Sequence, residues 1–210
     1  MNEKTVITIG REYGSGGHEV GRRLAEKMGV RLYDRELLEL AAKNSGLAEE
    51  LFDKQDEKPT SSLLYSLVMD TYSFGYSDAY SDMPINQRIF LAQFDTIKKL
   101  GEAESCVIVG RCADYALEGY EHLISVFITA PIEERIKTIM ERNGVDAKKA
   151  ESQIHKTDKK RSSYYDYYSD KKWGRAESYD LCINSADVGL DGVVDLIYEY
   201  ARIKESRLSQ

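Results

Sequence analysis

"GREYGSGGHEVGRRLAEKMG", residues 10–29, is the stretch on which the reading of this chain turns. Immediately before it, Thr5-Val6-Ile7-Thr8-Ile9 is a β-branched run suited to a strand, and the residues from Gly17 onward carry a helical pattern. The glycines therefore sit where a strand turns into a helix.

A loop of the form G-x-x-x-x-G-K-[ST] at such a turn holds phosphate by three devices. Backbone N–H groups wrap the β-phosphate, the lysine reaches the β and γ oxygens, and the hydroxyl binds Mg²⁺. Laid in that register, Arg11 stands at the first glycine, Gly16 at the second, Gly17 at the lysine and His18 at the Ser/Thr. The backbone cradle of Gly14, Ser15, Gly16 and Gly17 is kept, and both side chains that do electrostatic work are absent. The plain alternative is a tight turn into a helix, for which glycine is the usual residue. Position favours the anion, because helix N-termini at the carboxyl end of a parallel sheet bind anions. Arg11, Arg22 and Arg23 add positive charge nearby, the last two equally suited to an exposed helix face. His18 suits a cap or surface position, and Glu19 suits the helix dipole while lying within reach of a water-held Mg²⁺.

The 210 residues suffice for one domain with a substantial core, and 42% hydrophobic against 31% charged residues is a globular balance. A formal charge of −7 excludes a general nucleic-acid binder, which needs many Lys/Arg phosphate contacts. Cys106, Cys112 and Cys182 have neither even count nor metal-ligand spacing and are expected as reduced, mostly buried thiols. The N-terminus lacks the apolar core of a secretory signal, and no segment approaches the ~20 apolar residues of a membrane span. The expectation is a cytoplasmic protein without membrane partners.

Strand and helix patterns alternate along the chain, the mark of a parallel sheet covered on both faces. Strands are expected at Thr5–Ile9, Val30–Tyr33, Cys106–Val109, Leu123–Thr129 and Tyr179–Asn184. Helices are expected at Gly17–Met28, Arg35–Asn44, about Pro84–Leu100, Ile132–Asn143, Ala147–Tyr168 and Leu190–Lys204. In "IEERIKTIMERNG", Ile132, Ile136, Ile139 and Met140 share one face, with Glu and Lys/Arg opposite and most of those charges read as solvated. From Leu47 to Asp82 the polar, Tyr/Ser/Gly/Asp-rich run has no period of 2 or 3.6 and reads as an insertion capping the sheet.

The order of these motifs resembles the cytidylate kinase family, and more closely its cytidylate kinase-like members whose phosphate loop lacks the lysine. "VITIGREYGSGG" is similar to the family's first strand and loop, "VRLYDRELLELAA" to its second strand, and "CVIVGRCADYAL" to its third strand ending in Gly-Arg. "ISVFITAPIEERIKTIMER" resembles the fourth strand and helix, "HKTDKKR" the lid, and "YDLCINSADVGLDGVVDLI" the closing strand and helix. The resemblance implies a three-layer α/β P-loop fold, with a five-stranded parallel sheet ordered 2-3-1-4-5. It implies a core over about 1–33, 82–145 and 175–210, a helical acceptor-side insertion over about 34–81 and a helical lid over about 146–174.

The family's roles carry over residue by residue. Arg111 is implied to orient the acceptor phosphate, a task suited to an always-charged planar fork; a salt bridge to a neighbouring carboxylate is the alternative. Asp34 matches the acceptor-region Asp, but Arg35-Glu36 replaces the Thr-Gly that should follow. Asp158 and Arg161 match the lid's Asp and Arg, while Thr157 stands where an Arg is expected. Arg161, beside Lys156, Lys159 and Lys160, is implied to supply charge over the phosphates, since such transfer depends on position and charge stabilisation. Tyr164, Tyr165, Tyr167 and Tyr168 would line the lid, pack on the core, or meet a second copy in a homodimer, and these alternatives stay open here.

The implied function is an ATP- and Mg²⁺-dependent phosphotransferase acting on CMP or dCMP, with Gly14 to His18 cradling the donor phosphates. The metal would be held chiefly by nucleotide oxygens and water, because the usual hydroxyl ligand is absent. Lid closure would exclude water and favour transfer over ATP hydrolysis. Two other readings remain open, a nucleotide- or anion-binding protein that has lost catalysis and a kinase for a small non-nucleotide acceptor.

Overall fold

Strand β1 (Val6–Arg11) runs two residues beyond its expected end, because Gly10 and Arg11 remain paired to Phe127 and Ile128 of the neighbouring strand. Arg11 is thus the last residue of a strand rather than part of a turn. The computed structural model describes residues 4–47, 51 and 83–209. The tyrosine-rich run and most of the insertion expected over 34–81 lie outside the described residues.

From β1 the chain enters α1 (Gly17–Met28), β2 (Arg31–Tyr33) and α2 (Arg35–Ser45), and the description resumes before α3 (Ile85–Ala103). Strand β3 (Cys106–Val109), a short α4 (Ala113–Ala116), β4 (Leu123–Thr129) and α5 (Ile132–Asn143) follow. The long α6 (Ala147–Tyr168), β5 (Leu181–Asn184) and α7 (Ser185–Leu208) complete the order. The four-residue α4 is too short to show a helical period and is not among the expected helices. The last helix is expected from Leu190, whereas helical structure begins at Ser185 and kinks at Gly189 (φ 69°).

All strand pairs are parallel and the order is β2-β3-β1-β4-β5, with helices on both sides, as the resemblance implies. Alternation within each strand divides its side chains between two cores. Ile7 and Ile9 face Val20 and Leu24 of α1 and Val193 and Ile197 of α7. Val6 and Ile108 face Leu37 of α2, Ile97 of α3 and Ala113 of α4. Each aliphatic side chain so buried stabilises the fold by about 2 kcal/mol relative to exposure. This topology positions the site. The chain leaves β1 toward one side of the sheet and returns on the other, so the crevice beyond the carboxyl end of β1 is a topological switch point.

Three further expectations meet the structure here. Tyr164, Tyr165 and Tyr168 pack on the core, against Phe90, Leu91 and Cys112, with Tyr168 stacked on Phe90 at 4.0 Å. Cys106 and Cys112 are buried, but Cys182 is exposed, because it lies on β5 at the sheet edge, paired on one side alone. Arg135 of α5 is buried at 8% exposure rather than solvated. It sits three residues from Ile132 and four from Ile139, on the inward face of the helix. Among the described residues, no helix is long and apolar enough to cross a membrane.

Candidate functional site

Between β1 and α1 the chain turns through Glu12 to Gly16. Gly14 (φ 90°) and Gly16 (φ 81°) hold left-handed conformations, and a Cβ on Gly14 would press on the Arg135 carbonyl oxygen at 3.0 Å. Ser15 faces inward and braces the loop. Its Oγ donates to the Glu12 carbonyl at 2.9 Å and the Ile128 carbonyl at 3.0 Å, while Ser185 Oγ donates to the Ser15 carbonyl at 2.8 Å. The Val20 N–H bond to the Gly16 carbonyl, 2.9 Å, opens the helical ladder, so the amides of Gly17, His18 and Glu19 precede it. Gly16 places no side chain over them. This polarised backbone end opens into a cleft of about 490 Å³ bordered by Asp34, Thr138, Arg142 and Arg161.

Gly17 and Arg11 are packed against each other. A Cβ at position 17 would lie 2.4 Å from Arg11 Cβ and 3.0 Å from Arg11 Cγ, so the Arg11 stem fills the space a side chain at 17 needs. Arg161 reaches the same point, its Nη1 donating to the Arg11 carbonyl at 3.2 Å. Both arginines border the cleft, and both also border a second, interior cavity lined by Thr8, Gly110, Arg111 and Asp114.

On α6, Asp158 and Arg161 are three residues apart and share one face toward the loop, whereas Lys156 is exposed and borders neither cavity. Asp158 accepts the Tyr13 N–H at 2.7 Å through Oδ1 and Arg135 Nη1 at 2.5 Å through Oδ2. Arg135 Nε lies 3.6 Å from Glu12 Oε2. The guanidinium groups of Arg142 and Arg161 lie over the Tyr13 ring, 4.7 and 5.7 Å from its centroid. Arg135 thus ties the loop to α6. The sequence analysis missed it, although its spacing from Ile132 and Ile139 is the signal that marks an inward position.

Arg111, 6% exposed, donates from Nη1 to Asp34 Oδ1 in a short contact and to the Val109 carbonyl at 3.1 Å. Arg111 (φ 58°) and Cys112 (φ 52°) are consecutive non-glycine residues in the left-handed region. That costs about 1 kcal/mol each and fixes where the guanidinium leaves the strand end. His18 Nε2 stands 3.3 Å from the other Asp34 oxygen, and its side chain is 60% exposed. Asp34 therefore joins the glycine loop to Arg111. The side chain of Arg35 lies outside the described residues.

Glu19 is held by side-chain hydrogen bonds from Arg22 and Arg23, which lower its pKa to about 2. Those two arginines also pair with Glu26 and Asp191, so their charge is spent along the helix surface rather than at the loop.

The interior cavity holds a buried acid that sequence reasoning did not find. Asp114 Oδ2 accepts from Tyr165 Oη at 2.5 Å, 51 residues away in sequence. Burial raises the Asp114 pKa above its ordinary value, against the lowering effects of the Tyr165 hydrogen bond and the Lys171 charge. Burial, reinforced by the Asp114 charge, likewise raises the phenols of Tyr165 and Tyr179. Thr8 Oγ1 points into this buried region without a hydrogen-bond partner. Among the described residues no group of three His, Cys, Asp or Glu side chains is arranged to hold a metal ion.

The profile of the cytidylate kinase-like family matches residues 6–187. The chain is 28% identical over 211 residues to a cytidylate kinase of Archaeoglobus fulgidus, covering 97% of this chain and 98% of that protein. It is 26% identical to a cytidylate kinase of Thermococcus kodakarensis, covering 91% and 85%. An uncharacterised protein from Eubacterium ventriosum, solved by crystallography, superposes with a TM-score of 0.71 at 34% identity over 95% of this chain and 99% of that one. A shikimate kinase from Bacteroides thetaiotaomicron, at a TM-score of 0.51 and 14% identity over 94% and 98%, is similar in fold alone.

Proposed function

Since this chain belongs to the cytidylate kinase-like family, we propose that it is an ATP- and Mg²⁺-dependent phosphotransferase acting on a nucleoside monophosphate, with CMP or dCMP as the first acceptor to test. The observation that carries this reading is the helix end at Gly17 to Glu19, facing a cleft that Arg161 of α6 also borders. Phosphoryl transfer asks a protein chiefly for positioning and charge stabilisation. The loop amides would hold the donor phosphates. Arg111 would exchange Asp34 for the acceptor phosphate, whose oxygens match a planar guanidinium. Arg161 would lie over the phosphates.

A magnesium ion, when bound with the nucleotide, supplies charge neutralisation of the phosphate oxygens. The chain fits an ion held mainly by nucleotide and water, because His18 replaces the usual hydroxyl and, among the described residues, no cluster of three ligands stands beside the loop. The nearest carboxylates bordering the cleft are Glu12, Glu19 and Asp34.

The test is calorimetric titration of ATP and CMP separately, followed by ADP formation across a panel of acceptors. Turnover with CMP or dCMP is the expected result. Absence of ATP binding at millimolar concentration would overturn the reading, and binding without turnover on any acceptor would favour a protein that has lost catalysis. A second reading, a kinase for a small non-nucleotide acceptor, is favoured by Arg35-Glu36 at the place where the family's acceptor region has Thr-Gly. Turnover confined to non-nucleotide members of the panel would support it.

A further inference from the structure

We propose that Arg11 has exchanged places with the loop lysine, so that the cation of this phosphate loop rises from the end of β1 and Gly17 is required to leave it room. The inference rests on the phosphotransferase reading above and goes beyond it, assigning the one charge that the loop motif lacks.

Of the three departures from the loop motif, the third being His18 at the Ser/Thr, two occur together in space: arginine where the first glycine belongs and glycine where the lysine belongs. The packing explains the coincidence. A Cβ at position 17 would sit 2.4 Å from Arg11 Cβ, a separation no pair of side chains tolerates, and the Arg11 stem runs on across the same space. Neither contact partner is a flexible tip: the Arg11 Cβ is fixed by a strand residue still paired to Ile128. Position 17 can carry a side chain only if position 11 does not. Glycine at 17 is buried and opens α1, where its lack of a side chain serves no left-handed turn; φ is positive at Gly14 and Gly16 but not there. Its requirement is therefore steric, and the residue it accommodates is Arg11.

Location supplies the second argument. Among the described residues, Arg11 and Arg161 are the two that border both the loop cleft and the interior cavity. A phosphoryl group passing from a donor on the loop to an acceptor beside Arg111 would pass these two arginines. In that transfer the bond from the γ-phosphorus to the bridging oxygen breaks with its electron pair leaving on the donor diphosphate. A new bond forms from an acceptor phosphate oxygen, already anionic, so no proton need be removed. Arg11 makes and breaks no covalent bond; it meets charge on the transferring group that the loop amides alone would leave under-compensated.

The experiment is a reciprocal exchange in the full chain, with steady-state kinetics, ATP and AMP affinities by calorimetry, and thermal melting on each variant. Arg11→Met keeps an unbranched stem over Gly17 and removes the charge. It should melt near the wild type, lose at least ~100-fold in kcat, in line with loss of one charge-stabilising donor, and lose most of the preference for ATP over AMP. Arg11→Lys should retain more activity than Arg11→Met. Gly17→Lys alone should melt well below the wild type, because of the collision with Arg11. The double variant Arg11→Gly/Gly17→Lys, which restores the ordinary loop, should recover melting temperature relative to Gly17→Lys and at least ~10-fold in kcat over Arg11→Gly.

Wild-type kcat and ATP preference in Arg11→Met would overturn the proposal while leaving the kinase reading intact, as would a double variant no better than the two single ones. If the wild type transfers no phosphate to any acceptor but its ATP preference over AMP still depends on Arg11, the kinase reading falls and the assignment of Arg11 stands.

Discussion

Arg135 Nη1 lies 2.5 Å from Asp158 Oδ2, with side-chain exposures of 10% and 16%, and the other Asp158 oxygen takes the Tyr13 amide of the glycine loop. One carboxylate thus joins a sheet-covering helix, the helix over the cleft and the loop. Removing one member of so enclosed a pair leaves the partner's charge uncompensated, which costs several kcal/mol.

Arg135→Ala should therefore lower stability by about 3 kcal/mol, since Asp158 and Glu12 both lose their cation. For a chain of this length that corresponds to a fall of roughly 10 °C in melting temperature. Asp158→Asn keeps an acceptor for Tyr13 N–H and should cost less, while accelerating tryptic cleavage within 147–168. Melting within 2 °C of wild type for Arg135→Ala would show that the contact contributes little.

Arg111→Lys preserves charge but replaces a planar fork by a single ammonium. If Arg111 orients the acceptor phosphate, kcat/KM for the acceptor should fall about 100-fold, equivalent to ~2.7 kcal/mol. KM for ATP should stay within about threefold. Equal losses for donor and acceptor would instead mark Arg111 as a scaffold residue tied to Asp34, the salt-bridge alternative open from the sequence.

The legible and illegible parts of this molecule divide along a physical line. Short apolar runs such as Cys106–Val109 and amphipathic segments such as Gly17–Met28 are local signals, so the strands, the long helices and the placement of the glycine loop are legible directly. Charge on a helix was harder. Arg135 shares the face of Ile132 and Ile139, yet nothing local marks it as buried, because the partners that neutralise it, Glu12 and Asp158, lie on other elements. Asp114 and Tyr165 meet only through the tertiary fold, and no spacing announces them. The missing lysine was plain in the motif, but why glycine stands there required the position of the Arg11 stem. Lys156, two residues from Asp158 on the same helix, is exposed and borders neither cavity, a placement that a run of charges does not announce.

The cysteines offer a direct check on packing. Cys106 is fully buried, and burial pushes its thiol up to about 12; Cys112 is also buried. Cys182 alone is exposed, with a thiol raised by partial burial and the Glu177 charge. A disulfide reagent such as DTNB at pH 8 should label one thiol in the native protein, more slowly than a free cysteine, and all three in urea. Cys182→Ser should abolish the native reaction. Two or more native thiols would contradict the packing around Cys106 and Cys112.

The buried Asp114 carboxyl should leave a signature in stability against pH. Its pKa is raised in the folded protein, so between the ordinary carboxylate value near 4 and the raised native value the folded state binds more protons than the unfolded. Stability from this group is therefore fully present at low pH and is lost as pH rises through the native pKa. Asp114→Asn keeps an acceptor for Tyr165 Oη and removes the charge that must be buried at higher pH. Urea midpoints measured from pH 4 to pH 8 should show wild type gaining ground on the variant as pH falls, and the variant matching or exceeding wild type at pH 8. Taking the difference between the two proteins cancels the opposite trend from carboxylates with lowered pKa, such as Glu19. A difference independent of pH across that window would mean that Asp114 ionises in place without cost, against the expense of charging a carboxyl that is only 6% exposed.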